Sequence, residues 1–202
     1  MNATTRHLSW FGKLPCVGDF CSHNMPADLQ EAIDLWLSSA MQQGQATHGS
    51  AWMNAYFQTP VLGFVWGPSV LPQLSNNTTV GVIMPSVDKA GRAFPFVLLQ
   101  KLAVYSIENP GGESIDSWFQ KAHLLCAHAL QEDWSLNRFE SECAALPALT
   151  KQSINKVFSN PGDSQSHWFK IEYDGSIKPL LHCEGLPTTH DFDTLVGLGS
   201  AA

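Results

Sequence analysis

The sequence predicts an α/β fold of the α+β kind: a single layered domain with a mainly antiparallel central sheet flanked by helices on both faces. Three observations support this prediction. The clearest strand pairs are joined by turns, the order of elements needs no parallel crossover, and the strand candidates are apolar on both faces. A chain of 202 residues is long enough to bury a substantial core in one domain.

The first predicted elements are two helices. Apolar residues recur at helical spacing over residues 26–43, with Asp28 in the first turn and Gly44 just beyond the expected end. A shorter helix is expected after Ser50 and closes at Pro60, because proline cannot continue a helix. We expect the two helices to pack side by side.

Three strand candidates follow, at residues 61–66, 78–84 and 93–104. They are separated by segments rich in Gly, Pro, Asn and Ser. The second and third predict a hairpin across residues 85–92, where Gly91 can adopt the positive φ that closes a longer hairpin loop.

The rest of the chain predicts two helices, a second hairpin and a terminal helix, at residues 115–130, 136–146, 167–182 and 191–196. The turn Asp174–Gly175 is a strong hairpin signal. No internal repeat divides the sequence. We therefore expect one domain over residues 1–202, with a motif-rich part, a helical middle, and a closing hairpin and helix, at residues 8–104, 113–146 and 166–197.

Composition narrows the functional classes. Eleven Lys and Arg stand against eighteen Asp and Glu, a net charge of -7 without any basic stripe, so nucleic acid is not an expected partner. The N-terminus has no secretion signal and no stretch is apolar enough for membrane insertion, so a cytoplasmic location is expected. Five scattered cysteines predict reduced thiols, and their spacing predicts no metal site.

The sequence contains few signals of catalysis. His123 and His128 are five residues apart and cannot share one helix face. Ser86 lacks the glycines of a nucleophile elbow. Asp19 and Asp88 could form an acid and base pair, but carboxylates in such turns more often cap backbone amides. We expect no catalytic residues and no cofactor; the alternative is a hydrolase or phosphoryl-handling enzyme that uses Asp19, Asp88 or Ser86.

Two loop-like stretches combine aromatic, glycine, proline and charged residues, at residues 10–20 and 86–92. Such stretches either build rigid corners or present a contact surface. Arg92 could pair with either Asp19 or Asp88 to brace the two stretches. The candidate residues for partner binding or loop bracing are Trp10, Lys13, Asp19, Ser86, Asp88 and Arg92.

These stretches resemble the TagF family of type VI secretion-associated proteins. The resemblance rests on WFGKLPCVGDF at residues 10–20 and on GVIMPSVDKAGRAFPF at residues 81–96. SHWFK at residues 166–170, with Gly185-Leu186-Pro187 after it, is similar to the closing segment of the family. Ala93 departs from the pattern, since a bulkier residue is common there.

The resemblance implies a repressor of bacterial type VI secretion that acts after translation. Its implied partner is the forkhead-associated-domain scaffold of the system, alongside a threonine-phosphorylation pathway. Components of the membrane complex are the alternative partners, which a structural or assembly subunit of the apparatus would contact. The family offers no active site to carry over, so the resemblance implies protein–protein interaction.

Overall fold

The fold is built on a sheet of seven strands, all paired antiparallel. The computed structural model describes residues 8–102, 114–149, 163–172 and 174–199. The strands are β1 Leu8–Lys13, β2 Phe20–His23, β3 Leu62–Trp66, β4 Thr79–Met84, β5 Phe96–Lys101, β6 Gln165–Ile171 and β7 Ile177–Glu184. Their order across the sheet is β2-β1-β5-β4-β3-β6-β7.

Helices cover both faces of this sheet. Those in the described residues are α1 Ala27–His48, α2 Ser50–Gln58, α3 Ile115–Gln131, α4 Leu136–Ala145 and α5 Thr189–Leu195, with a short 3-10 helix at Pro72–Leu74. Side chains alternate along each strand, so neighbouring residues enter different cores. Trp10 packs in the core beneath α3 and α4, whereas Phe11 packs in the core beneath α1, α2 and α5. The predicted fold class is therefore confirmed.

The first strand corrects the sequence interpretation. Residues 10–13 were expected in a loop-like stretch, but they belong to β1. This strand pairs with β5 on one side, where Trp10 lies opposite Leu98, and with β2 on the other. Glycine, lysine and the following proline are uncommon in strands, so the local composition concealed a pairing that depends on a distant segment.

The first helix is also longer than predicted. Gly44 lies inside α1 and does not mark its end. A β-carbon at Gly44 would collide with the indole of Trp52, so glycine at this position permits α1 and α2 to pack closely. The helix ends instead at Gly49, whose φ of 57° lies in the left-handed region that glycine favours.

Both predicted hairpins are present, with shifted ends. β5 begins at Phe96, three residues later than expected, and Ala93 forms only an isolated bridge with Val87. β7 continues to Glu184. The terminal helix begins at Thr189, after a capping box that Thr188 and Asp191 form. Residues 103–104 of the predicted third strand and residue 173 of the second hairpin lie outside the described residues.

Candidate functional site

A buried carboxylate joins the two motif-bearing segments. Lys13 ends β1, and the connection between β4 and β5 lies beside it because β1 pairs with β5. The Asp88 side chain in that connection is fully buried. Its Oδ2 atom lies 3.0 Å from Lys13 Nζ and 2.7 Å from Arg92 Nε. We call Lys13, Asp88 and Arg92 the ion cluster.

The backbone of the same turn completes the shell around Asp88. Its Oδ1 atom accepts hydrogen bonds from the backbone N–H groups of Ala90 and Arg92, at 2.9 and 3.0 Å. Burial alone would raise the pKa of Asp88. The Arg92 backbone N–H, the Lys13 ammonium and the Arg92 guanidinium oppose this effect and hold the pKa well below its ordinary value. Asp88 is therefore ionised at neutral pH.

Further hydrogen bonds tie this turn to the first motif. Arg92 Nη2 donates to the Gly18 carbonyl at 2.9 Å, and the Lys89 backbone N–H donates to the Val17 carbonyl at 2.8 Å. The Lys13 ammonium also lies 3.5 Å from the Arg92 carbonyl. Lys13 and Arg92 are 79 positions apart in the chain. These contacts hold the two segments that contain them together as one rigid unit.

Ser86 anchors the base of the unit. Its hydroxyl donates to the Lys13 carbonyl at 2.6 Å. The Tyr56 hydroxyl donates to the Ser86 carbonyl at 3.1 Å and accepts from the Ser86 N–H at 2.9 Å. Burial raises the pKa of Tyr56, although the hydrogen bond to the Ser86 backbone opposes the shift. The hydroxyl groups of Ser86 and Tyr56 are therefore both occupied by hydrogen bonds to backbone groups of this unit.

The six sequence candidates fall into three positions. Lys13, Ser86, Asp88 and Arg92 come together, and Asp88 is the carboxylate that pairs with Arg92. Asp19 is exposed and accepts a hydrogen bond from the next residue's backbone N–H, at 2.9 Å. Trp10 is buried, stacked on His23 with ring centroids 5.5 Å apart.

The outer surface of the unit is exposed. Residues 18–20 and 89–92 face solvent, and we call them the signature rim. Phe20 is 43% exposed, yet its ring stacks on Phe11 at 5.5 Å and meets Phe94 edge-on at 4.8 Å. Lys13 Nζ lies 5.0 Å from the Phe20 ring centroid, within reach of a cation–π interaction. The Arg92 side chain is more than half exposed.

Sequence reasoning missed three residues of this site. Tyr56 and Phe20 were not among the sequence candidates, although Phe20 lies in a motif. Gly12 has a φ of 138°, and a β-carbon there would collide with the Pro95 carbonyl. The local sequence gives no signal for Gly12, because the Pro95 carbonyl that approaches it belongs to a distant segment.

In the described ranges, no three His, Cys, Asp or Glu side chains lie close enough together to hold a metal ion. All five cysteines carry free thiols, and burial raises the pKa of Cys126 far above its ordinary value. None of the helices that the structure describes has both the length and the apolar character needed to cross a bilayer.

The fold and the rim define an α+β domain with a charge-braced surface corner. The chain belongs to the TagF family: the family model for the TagF N-terminal domain, described as type VI secretion system-associated, matches residues 9–146. The chain is similar to PA0076 from Pseudomonas aeruginosa PAO1, whose crystal structure it matches with 28% identity and a TM-score of 0.74 over 96% of each chain. No curated protein sequence matches it.

Proposed function

We propose that this type VI secretion-associated protein is a cytoplasmic negative regulator that acts after translation by binding the forkhead-associated-domain scaffold of the system. Its contact surface in this proposal is the signature rim. Binding, and not catalysis, is its mode of action. The membership of the TagF family supports the secretion context, and the geometry of the rim supports the binding role.

The observation that carries this proposal is the buried ion cluster beneath an exposed rim. A buried ion pair adds little stability compared with apolar residues of similar volume, because removing charges from water is costly. What the ion cluster does supply is a fixed position for the backbone of the rim. Its bonds to Gly18 and to the turn at Ala90 fix the backbone on both sides of the rim. A rim fixed before binding loses less conformational entropy when a partner binds.

The rim also carries side chains suited to protein recognition. Aromatic residues and arginine are enriched among the residues that dominate binding energy, and the rim offers Phe20 and Arg92. Lys89 adds a second exposed cation, and Asp19 adds an anion. The polar atoms of Asp88 are already occupied, so the charges that a partner meets are those of Arg92, Lys89 and Asp19.

Calorimetry tests the partner directly. The purified protein is titrated into the scaffold of its own host, once with the scaffold phosphorylated and once unphosphorylated. We expect a Kd of about 1 μM or tighter in at least one state, which corresponds to roughly -8 kcal/mol. An absence of binding in both states would contradict the scaffold as the partner.

Secretion tests the direction of the effect. Deleting the gene should increase the amount of a type VI substrate in the medium, and restoring the gene should reverse this. Loss of secretion on deletion would contradict repression and would indicate a structural or assembly subunit of the apparatus.

A further inference from the structure

The signature rim carries an excess of positive charge on a chain that is negative overall. The rim and the ion cluster beneath it hold three cationic side chains and two carboxylates, which are Lys13, Lys89 and Arg92 against Asp19 and Asp88. The whole chain has a net charge of -7. A local excess of positive charge favours contact with acidic groups of a partner over contact with basic ones.

Arg92 has hydrogen-bond donors that the described part of the chain does not use. A guanidinium carries five N–H donors. One of them, Nε–H, donates to Asp88 Oδ2 at 2.7 Å, and one on Nη2 donates to the Gly18 carbonyl at 2.9 Å. Of the five donors these two are occupied, which leaves three. The side chain is 60% exposed, so the three remaining N–H groups are open to a partner on a guanidinium that is already fixed in place.

Lys89 supplies a second cation beside this guanidinium. Its backbone N–H donates to the Val17 carbonyl at 2.8 Å, and Arg92 donates to the carbonyl of the next residue, Gly18. Lys89 and Arg92 are therefore anchored to consecutive peptide groups of the first motif. Lys89 is exposed, and its ammonium makes no ion pair or hydrogen bond with the residues that the structure describes. Its charge is available to a partner.

The neighbouring surface has no such charge. A groove of about 460 Å³ lies between the end of α2, one face of α3 and the connection that follows β4, and we call it the groove. Phe57 and Leu124 are exposed on its walls. Its described lining contains no Lys, Arg, Asp or Glu. Of these two surfaces, the rim is the one whose charges select the chemistry of a ligand.

We propose that the rim binds an acidic segment of a partner protein, in which closely spaced Asp or Glu side chains contact Arg92 and Lys89. One carboxylate accepts hydrogen bonds from the free N–H groups of Arg92, and a second pairs with the Lys89 ammonium. Hydrogen bonds between a guanidinium and a carboxylate are charge-assisted and therefore strong. The inference rests on the proposed function, because it takes the rim as the contact surface, and it adds the chemistry that the rim recognises.

The probe is a short peptide in which glutamate alternates with glycine. A twin peptide carries glutamine in place of every glutamate, and a third peptide carries one phosphoserine among the glutamines. Each is added to the isotope-labelled full chain, and heteronuclear NMR follows the backbone amide signals and the Nε–H signal of Arg92. This measurement gives both the affinity and the place of binding.

The glutamate peptide should shift the amide signals of Lys89 and Ala90 and the Nε–H signal of Arg92, with a Kd below about 1 mM at low salt. Lys89→Glu should weaken this binding at least about fivefold. Lys178→Glu is the matched control, because it makes the same change of charge on β7, at the opposite edge of the sheet from β2. It should stay within about twofold of the unaltered chain, since distant exposed charges are screened.

Four results would each overturn the proposal. They are no shift with the glutamate peptide, equal shifts with the glutamine twin, equal loss of affinity in the two lysine variants, and tighter binding of the phosphoserine peptide, which would make phosphate the recognised group. Circular dichroism melts verify that both variants keep the fold, as expected for exposed lysines.

Calorimetry with the scaffold tests the proposed function separately. A scaffold that does not bind contradicts that function, even when the glutamate peptide binds at the rim and supports the present inference. A scaffold that binds when the glutamate peptide does not leaves the proposed function in place and overturns the acidic segment as the ligand.

Discussion

The signature rim and the groove are neighbouring surfaces built in opposite ways. The rim is a polar corner whose charges are fixed from below by Lys13 and Asp88. The groove is an apolar trough with prolines in its lining and an exposed Phe57 and Leu124 on its walls. The rim is held by ion pairs between two motifs. The groove is formed where α2, α3 and the connection after β4 come together.

This difference teaches where sequence motifs report function. The motif residues Lys13, Ser86 and Asp88 are buried and hold backbone groups in place, so under the proposed function they affect a partner only through the rim. The residues that expose apolar surface in the groove belong to no motif of the chain. The following changes test whether the stability of the protein depends more on the buried residues of the fold and of the rim's support than on exposed residues.

The largest effect is expected at Trp10, in the core beneath α3 and α4. Trp10 is buried against Phe96 and Phe139, with ring centroids 5.8 and 5.7 Å away. Trp10→Ala should lower the free energy of unfolding by about 3–5 kcal/mol, through lost burial and a new cavity. Urea denaturation measures this value. An exposed groove residue, Leu124→Ala, should change it by less than about 1 kcal/mol. Equal losses would contradict the contrast between a buried core residue and an exposed groove residue.

A smaller loss is expected from Asp88→Asn, because the side chain keeps its volume and no cavity forms. The change leaves the buried Lys13 ammonium and the Arg92 guanidinium without their shared counter-charge. We expect Tm to fall by about 5 °C or more. Asp19→Asn is the matched control, since Asp19 is exposed and bonds only the next residue's N–H. A normal Tm for Asp88→Asn would show that the cluster does not brace the rim.

Tyr56→Phe should cost less again. It removes one hydroxyl, which leaves the buried N–H of Ser86 without its partner, while the Ser86 carbonyl keeps the bond from Phe94. The expected loss is about 1 kcal/mol in urea denaturation. Thr59, whose part-buried hydroxyl donates to the Ala55 carbonyl at the end of α2, supplies a control as Thr59→Val. A larger loss from the control than from Tyr56→Phe would refute this assignment.

The smallest effect is the change with pH in the contribution that ionised Asp88 makes to stability. Its pKa is lower in the folded chain than in the unfolded chain, so the unfolded chain binds the proton first as pH falls. The contribution of ionised Asp88 is therefore fully present above about pH 3.9, the ordinary pKa, and declines as pH falls towards the folded pKa. The stability difference between the unaltered chain and Asp88→Asn should be constant from pH 7 to pH 5 and shrink below about pH 4. A difference that grows in acid would contradict a lowered pKa.

The sequence predicted much of the fold because its signals are local. The hairpin turn at Gly175, the helical spacing in α3 and the apolar runs of β3 and β4 each depend on neighbouring residues. β1 was missed because its partner β5 is distant in the chain and its composition is typical of a turn. Gly44 was misplaced because the side chain that excludes a larger residue, Trp52, belongs to another helix.

The sequence predicted the residues of the candidate site but not how they pair. The motifs brought Lys13, Asp88 and Arg92 to attention together, but they could not decide whether Asp19 or Asp88 pairs with Arg92. That choice depends on which carboxylate the turn at Gly91 directs inward. The groove was not predictable, because Phe57 and Leu124 become neighbours only after α2 and α3 pack against the sheet.

The central claim is that the rim is the surface that binds the scaffold, and Phe20 offers its most direct test. Phe20→Ser removes the exposed aromatic side chain, and Leu35→Ser removes an exposed leucine on α1 that is not part of the rim. Calorimetric titration into the scaffold should show affinity reduced at least about tenfold for Phe20→Ser and unchanged for Leu35→Ser. Affinity that is unchanged in folded Phe20→Ser, or lost equally in both variants, would contradict the account.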